Sequence, residues 1–538
     1  MLSFGVSNLR RLKLVPPIEV KPITILVGRN SSGKSSFLRA FPLLRQSLMT
    51  RTSSPILWYG DLVDFGSFDI SVSDNSLVEP ISFSFVIDKL TPDETRAFYW
   101  RSGLLHARGV LEHTVFSGVH FDLSIVRAGE RTRISRILVR IDEPKLSYEI
   151  FVDEDSKVIS LKLNGNEVSD LLKPIKFQIS PATLLPEMSV IPDETKKKIT
   201  QTKRAYFYRE PPELAVPIKN LLSPHLKRMK EQLVDEFVSE LLSLSAFDKK
   251  TIKKRVGSHG PKIWQRLIDD IYGKDRYGLY QKLHDMLSIA ALSGILSQIR
   301  SYLSAVIAST LYIGPARARS ERYYRYQDLA VSEIDPDGKN FPMFLNSLAP
   351  YQIGQLSEWI EGLFGYGLTV SRQSGGGHMS IDLVTKGAKS NIVDTGYGVS
   401  QILPVLGQIW WARTRLRQSA DSPPPLALIA IEQPELHLHP AHQALLADAL
   451  VGELSSRTVT ATNADSRIHF LIETHSEALV NRMGELIAKG KILHSDVQVI
   501  LFEAIDDDAR LTDVRTSNFG PAGDLINWPY GFFQPTVK

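Results

Sequence analysis

Three near-continuous apolar runs punctuate the chain at residues 23–27, 426–431 and 468–472. Runs apolar at successive rather than alternate positions predict strands covered on both faces, as in a parallel sheet. The first runs into Gly28, the second ends in Glu432 and the third in Glu473. From about residue 79 to 163 the pattern changes to short β-rich runs, such as 81–86 and 136–141, broken by acidic or Gly/Asn turns. That alternation predicts an antiparallel lobe. From about 181 to 308 the period lengthens. Residues 225–246 and 279–308 carry apolar side chains at three- and four-residue spacing, which predicts helices. No internal repeat is visible, and Gly375-Gly376-Gly377 and Pro423-Pro424-Pro425 are the low-complexity punctuation.

The first run leads into Gly28-Arg29-Asn30-Ser31-Ser32-Gly33-Lys34-Ser35, a match to GxxxxGK[ST], and Ser36 continues into a helix-like stretch. A strand, this loop and a helix together form a phosphate cradle. Backbone N–H groups converge on phosphate oxygens, and the helix N-terminus adds partial positive charge. Lys34 is the expected point charge for β- and γ-phosphates, and Ser35 the expected hydroxyl ligand of Mg²⁺.

The second run ends in Glu432-Gln433-Pro434-Glu435, as a Walker B strand does, with Glu432 where the metal's acid belongs. The third ends in Glu473-Thr474-His475-Ser476. A histidine at the tip of a strand beside Walker B is placed to touch a γ-phosphate. Between the first and second runs, Thr395-Gly396-Tyr397-Gly398-Val399-Ser400 immediately precedes an apolar helix, a second anion-binding N-terminus.

In these residues the chain resembles the ABC-type ATPases of the SMC and DNA-repair class. Within it, the chain resembles compact ATPases of bacterial anti-phage systems: OLD-like proteins, the PtuA subunit of Septu and retron-associated ATPases. The matching segments are GRNSSGKSS, VDTGYGVSQILPVL, IEQPELHLHP and ETHSE, with YIGPARARSERYY, LVDFGSF and GDLINWPYGFF also similar to one branch. They cover roughly residues 1–70 and 311–538. The resemblance implies a head-to-head homodimer. ATP on Gly28 to Ser36 of one chain would be closed by Thr395, Gly396, Gly398 and Ser400 of the other. It also implies a separate nuclease or toxin subunit as partner. OLD-like proteins carry a Toprim nuclease domain after the ATPase, but only 30 residues follow Asp508 here, so Asp506-Asp507-Asp508 reads as a turn.

Two departures bear on rate. ABC ATPases usually place a catalytic Glu directly after the Walker B acid; this chain has Gln433, whose amide can orient water but cannot take its proton. Glu435 and His475 are the candidate substitutes. The signature has Thr395-Gly396-Tyr397-Gly398 in place of Ser-Gly-Gly, leaving open which hydroxyl meets the γ-phosphate. His437, His439 and His442 admit a metal reading, but after Pro434-Glu435 they are expected in a loop between two heads.

Composition adds limits. With 538 residues, 43% hydrophobic, the chain is long enough for two or three domains. Zero cysteines exclude disulfides, thiol catalysis and Cys-ligated metals. The net charge of +4 does not by itself imply a nucleic-acid partner. Basic clusters do gather in the helical region, at Lys196-Lys197-Lys198, Lys203-Arg204, Lys227-Arg228, Lys230, Lys249-Lys250 and Lys253-Lys254-Arg255, near Tyr206, Phe207, Tyr208 and Trp264. They could track a phosphate backbone; equally, Glu231, Asp235 and Glu236 fit a solvated helix face. Arg317, Arg319, Arg322 and Arg325 form a second group, a possible sensor of phosphate or partner. No signal-peptide core or 18-residue apolar run is seen, so a cytoplasmic protein off the membrane is expected.

The expected architecture is therefore α/β: an ABC-type P-loop ATPase head in two pieces, 1–75 and 311–538. A β-rich lobe at 76–180 and a basic helical insertion at 181–310 lie between them.

Overall fold

The computed structural model describes residues 1–73, 79–91, 115–171, 173, 175–191, 212–226, 229–242, 252–257, 261–273, 278–325, 327, 330–372, 377–418, 424–455, 468–504 and 512–529. The chain opens with β1 (Leu2–Leu9), β2 (Leu12–Glu19), β3 (Ile23–Gly28), α1 (Lys34–Met49) and the single turn α2 (Phe68–Ser71). There follow β4 (Ile81–Leu90), β5 (Phe116–Ala128), β6 (Arg131–Glu143), β7 (Leu146–Val152), β8 (Val158–Leu163), β9 (Asn166–Glu167) and the antiparallel pair β10 (Phe177–Ile179) and β11 (Met188–Val190). Strands β1, β2 and β4–β9 make one eight-stranded antiparallel sheet in the order β2-β1-β4-β5-β6-β7-β8-β9. Alternation explains it. In β4 the apolar residues Ile81, Phe83, Phe85 and Ile87 are buried while their neighbours are half-buried or exposed, as a sheet covered on one face requires. The expected lobe thus extends beyond 76–180: β1 and β2, expected within the head, belong to this sheet.

Four helices come next: α3 (Pro212–Leu226), α4 (Glu231–Leu242), α5 (Lys262–Gly273) and α6 (Leu279–Ser309). Of the helical period predicted over 225–246, residues 225–226 end α3 and 231–242 form α4, while 227–228 and 243–246 lie outside the described residues. Helix α6 is, among the described residues, the one long and apolar enough to cross a membrane by length and composition. Its most apolar stretch is 72% buried inside the protein. The Tyr148 hydroxyl of β7 donates to the Ser288 carbonyl of α6 at 2.9 Å. Apolar residues of the antiparallel sheet, α1 and all four helices form a single core. Phe4 of β1 centres part of it, with ring centroids 4.5–5.4 Å from Phe37, Phe41 and Phe85. The helical region is thereby joined to the nucleotide-loop helix through shared apolar packing.

The remainder comprises β12 (Leu311–Ile313), β13 (Tyr324–Arg325), α7 (Phe341–Ser347), α8 (Pro350–Phe364), β14 (Gly367–Arg372), β15 (His378–Thr385), β16 (Ala388–Asn391), α9 (Tyr397–Gln418), β17 (Ala427–Glu432), α10 (Pro440–Ser455), β18 (Ile468–Glu473), α11 (Glu477–Ala488), β19 (Val497–Ala504), β20 (Thr512–Phe519) and β21 (Leu525–Ile526). Of these, β12 and β17–β21 join β3 in a seven-stranded sheet in the order β12-β17-β18-β3-β19-β20-β21. Neighbours from β12 to β19 pair parallel; β20 and β21 are antiparallel at the edge. The three runs predicted from continuous apolar sequence are its centre. All six residues of β3 and of β17 are buried. Strand β13 lies outside this sheet, with β14–β16. The fold is α/β: a mainly parallel sheet with helices beside it, joined to a large antiparallel sheet.

Candidate nucleotide site

Parallel pairing brings three strand tips together. Glu432 at the end of β17 is the register partner of Glu473 at the end of β18, and Glu473 is that of Leu26 in β3. The loop after β3 turns tightly into α1 through Gly33, at φ 96°, where a side chain would be strained and its Cβ would lie 2.6 Å from Leu12. Ser31 and Gln433, non-glycine residues at φ 62° and 41°, border the same cleft. That polar cleft, about 470 Å³, is lined by residues 30–36 together with Arg10, Arg11, Gln433, Glu473 and His475.

Lys34 is 3% exposed. Its ammonium donates to the carbonyls of Gly28 at 3.0 Å and Arg29 at 2.8 Å and stands 4.0 Å from Glu473 Oε1. Burial lowers its pKa, and Glu473 and Glu435 oppose that shift. The Ser35 hydroxyl donates to Glu473 Oε1 at 2.9 Å. Glu473, 2% exposed, is pushed up to about 7 by burial and then by the neighbouring Glu432 charge; its Oε2 is buried without a hydrogen-bond partner.

Glu432 differs from its expectation. One turn beyond Ser35 on α1, Arg39 takes it in a bidentate pair, Nε to Oε1 and Nη2 to Oε2, both 2.7 Å. The Tyr312 hydroxyl of β12 also donates to Oε1 at 2.8 Å. Glu432 is 1% exposed and does not line the cleft. The physical reason is register: of the two acids, only Glu473 sits on the strand next to β3, beneath Ser35.

Gln433 reaches the cleft, its backbone N–H donating to the Glu473 carbonyl at 2.8 Å. Glu435 lies in an adjoining cleft with His437, Gln443, His475 and Ser476. Burial raises its pKa, and its Oε1 accepts the His475 backbone N–H at 2.7 Å. Burial, then the Lys34 charge, lowers that of His475, favouring the neutral ring. The structure therefore gathers Asn30, Ser31, Ser32, Gly33, Lys34, Ser35, Ser36, Gln433, Glu435 and His475 in two adjoining clefts. Gly28 and Arg29 contribute carbonyls to Lys34.

Thr395, Gly396, Gly398 and Ser400 line neither cleft. Thr395 Oγ1 donates to the Ile392 carbonyl and Ser400 Oγ to that of Tyr397. Gly398 packs so closely on the loop after β17 that an added Cβ would be 2.2 Å from the His437 carbonyl oxygen. Among the described residues no cluster of His, Asp and Glu could hold a metal alone. The His437 ring packs on Tyr397 and that of His442 on Phe364. Arg322 pairs with Asp394 beside the signature. Arg317 donates to the carbonyls of Glu432 and Gln433 at 3.0 and 3.4 Å, and burial lowers its pKa to about 10. Lys196 to Lys198, Lys203, Arg204, Tyr206 to Tyr208, Lys227, Arg228, Lys249, Lys250 and Asp506 to Asp508 lie outside the described residues.

Sequence reasoning missed Arg39, Tyr312 and the Ser35–Glu473 contact. Two signals were available: an acid ending the third run, and an arginine four residues after the loop serine.

A family model described as an AAA ATPase domain matches residues 338–480, from just before α7 into α11. Fold and loop together define a P-loop ATPase. No curated protein matches the chain. Two solved structures are similar along nearly its full length. One is the Smc head domain with an extended coiled coil bound to the C-terminal domain of ScpA, from Pyrococcus furiosus, at 13% identity, 96% of each chain and a TM-score of 0.30. The other is the SMC head domain from Thermotoga maritima, at 8% identity, 95% of this chain and 97% of that one, with a TM-score of 0.31.

Proposed function

We propose that the chain is an SMC-like ATPase that binds ATP with Mg²⁺ over Gly28 to Ser36, dimerises on ATP and hydrolyses it slowly. It thereby regulates a separate nuclease or toxin subunit in bacterial anti-phage defence, in the cytoplasm. The observation that carries the ATP reading is the convergence of a glycine-closed loop, a helix N-terminus, a buried Lys34 and the Ser35 hydroxyl on one polar cleft. On binding, Lys34 exchanges its two loop carbonyls for phosphate oxygens. Oxygen donors and anionic phosphates suit Mg²⁺, which takes only one or two carboxylates from a protein. The orphaned Glu473 Oε2 beside Ser35 fits such an ion. Its chemistry there is neutralising phosphate charge; Ser35 and an acid at the strand tips would hold it.

Slow turnover follows from Gln433, with Glu435 or His475 left to polarise water. Dimer closure by Thr395, Gly396, Gly398 and Ser400 agrees with their absence from the lining of the chain's own loop cleft. The defence role rests on the motif resemblance. Calorimetric titration of ATP with Mg²⁺ tests the core of the reading: Lys34→Ala abolishes binding, and unchanged affinity refutes it. Light scattering with and without ATP tests dimerisation. A DNA-repair clamp is the rival role; binding through Lys253 and Lys254 would weaken steeply with salt, although Lys253 is ion-paired to Asp269 at 2.9 Å.

A further inference from the structure

We infer that Glu473, at the tip of β18, is the carboxylate that faces the nucleotide's metal ion, while Glu432, at the Walker B position, is a structural acid neutralised by Arg39. The inference rests on the ATP reading above and goes beyond it by reassigning the acid.

The argument begins with two adjacent parallel strands ending in acids at the same level, Glu432 and Glu473. Helix α1 lies over them and offers two side chains one turn apart. Four residues rise about 6 Å along a helix, close to the spacing of neighbouring strands. Ser35 therefore meets one acid and Arg39 the other. The partition is complete in the hydrogen bonds: Ser35 Oγ to Glu473 at 2.9 Å, Arg39 to both oxygens of Glu432 at 2.7 Å.

Each acid's remaining capacity then decides its role. Glu432 already accepts three strong donors, counting Tyr312, and its charge is cancelled by a guanidinium. Engaging a metal would require breaking a buried bidentate pair. Glu473 accepts one hydroxyl, has Lys34 at the edge of ion-pairing range, and keeps Oε2 buried without a partner. It lines the nucleotide cleft, and Glu432 does not. Chemistry at Ser35 agrees. A hydroxyl has one proton and two lone pairs; giving the proton to Glu473 leaves lone pairs to meet a cation.

The test measures metal dependence of nucleotide binding, with Mn²⁺ as the spectroscopic probe. ATP affinity is determined in EDTA and with Mg²⁺, and Mn²⁺ bound to the protein–ATP complex is counted by electron paramagnetic resonance. Glu473→Gln should lose about 10- to 100-fold in metal affinity, the range seen when groups around a metal are removed, with its own EDTA affinity as the reference for the metal-dependent increment. Glu432→Gln should keep the metal-dependent increment and melt earlier. Glu473→Asp, which keeps the charge but withdraws it, should fall between and serves if the amide variant does not fold. Loss of the increment in Glu432→Gln with retention in Glu473→Gln overturns this inference alone. A folded wild type that binds no ATP overturns the ATP reading and this inference with it.

Discussion

Replacing Arg39 by methionine keeps most of its aliphatic stem and strands the Glu432 carboxylate. In the wild type that acid is 1% exposed and receives two 2.7 Å bonds from Arg39. Removing one partner of a buried ion pair costs about 3–5 kcal/mol, because the remaining charge is left uncompensated. Two features reduce the figure here. Tyr312 still donates to Oε1, and the Arg39 side chain is itself 29% exposed, so water can reach the gap. An expected loss is about 2–4 kcal/mol. At about 2 °C per kcal/mol for a large domain, the melting temperature should fall by about 4–8 °C. The matched control is Arg39→Met with Glu432→Gln, which removes the charge and keeps an acceptor for Tyr312. It should recover at least about half the loss, since replacing both partners is far less costly than removing one. Chemical denaturation of wild type, both singles and the double closes the cycle. A single Arg39→Met loss below about 0.5 kcal/mol, or a double variant no better than the single, would refute the neutralised-acid reasoning.

Gly398→Ala should cost about 1–3 kcal/mol, as overpacking does, because its methyl meets a backbone carbonyl that cannot step aside; thermal unfolding reads it. Gln433→Glu should raise steady-state phosphate release by about 10²- to 10⁴-fold if the missing general base limits turnover, and a wild type already running at about 10 per second or more would contradict slow turnover. Glu435 carries a pH prediction. Burial holds its folded pKa above the ordinary 4.5, so the stability it contributes is present below 4.5 and lost as pH rises through the folded value. Glu435→Gln should flatten that decline, measured by denaturation at a series of pH values; an unchanged slope would assign the decline to other groups.

The centre of the parallel sheet was legible because strands covered on both faces leave few polar positions, Thr24 and His469 within these runs, so β3, β17 and β18 appear as near-continuous apolar runs at their true places. The antiparallel lobe was legible through alternation in β4 and β6, but its extent was not. Nothing in the sequence announces that β1 pairs with β2 and β4 rather than joining the sheet of β3. The glycine loop and Lys34 were readable because their spacing is local. The division of labour between Glu432 and Glu473 was hidden, since both end apolar runs, and only three-dimensional register shows which acid lies beneath Ser35. Arg39 was overlooked for a related reason. Its position one turn after Ser35 acquires meaning only when the strand tips beneath the helix are known.

The place of β3 in its sheet has a further consequence for how the protein comes into being. Both of its neighbours, β18 and β19, are encoded in the last part of the chain, and the Ser35–Glu473 contact joins residues 438 positions apart. At about 5–20 residues per second, a ribosome that has finished the glycine loop needs roughly 20–90 s more to deliver that partner. The antiparallel sheet can assemble in the meantime from β1 to β9, keeping the waiting strand tethered. A message cut short between α1 and β18 therefore yields a chain with the loop but without the Glu473 that Ser35 meets. The loop's strand and side-chain partners are completed only near the end of translation.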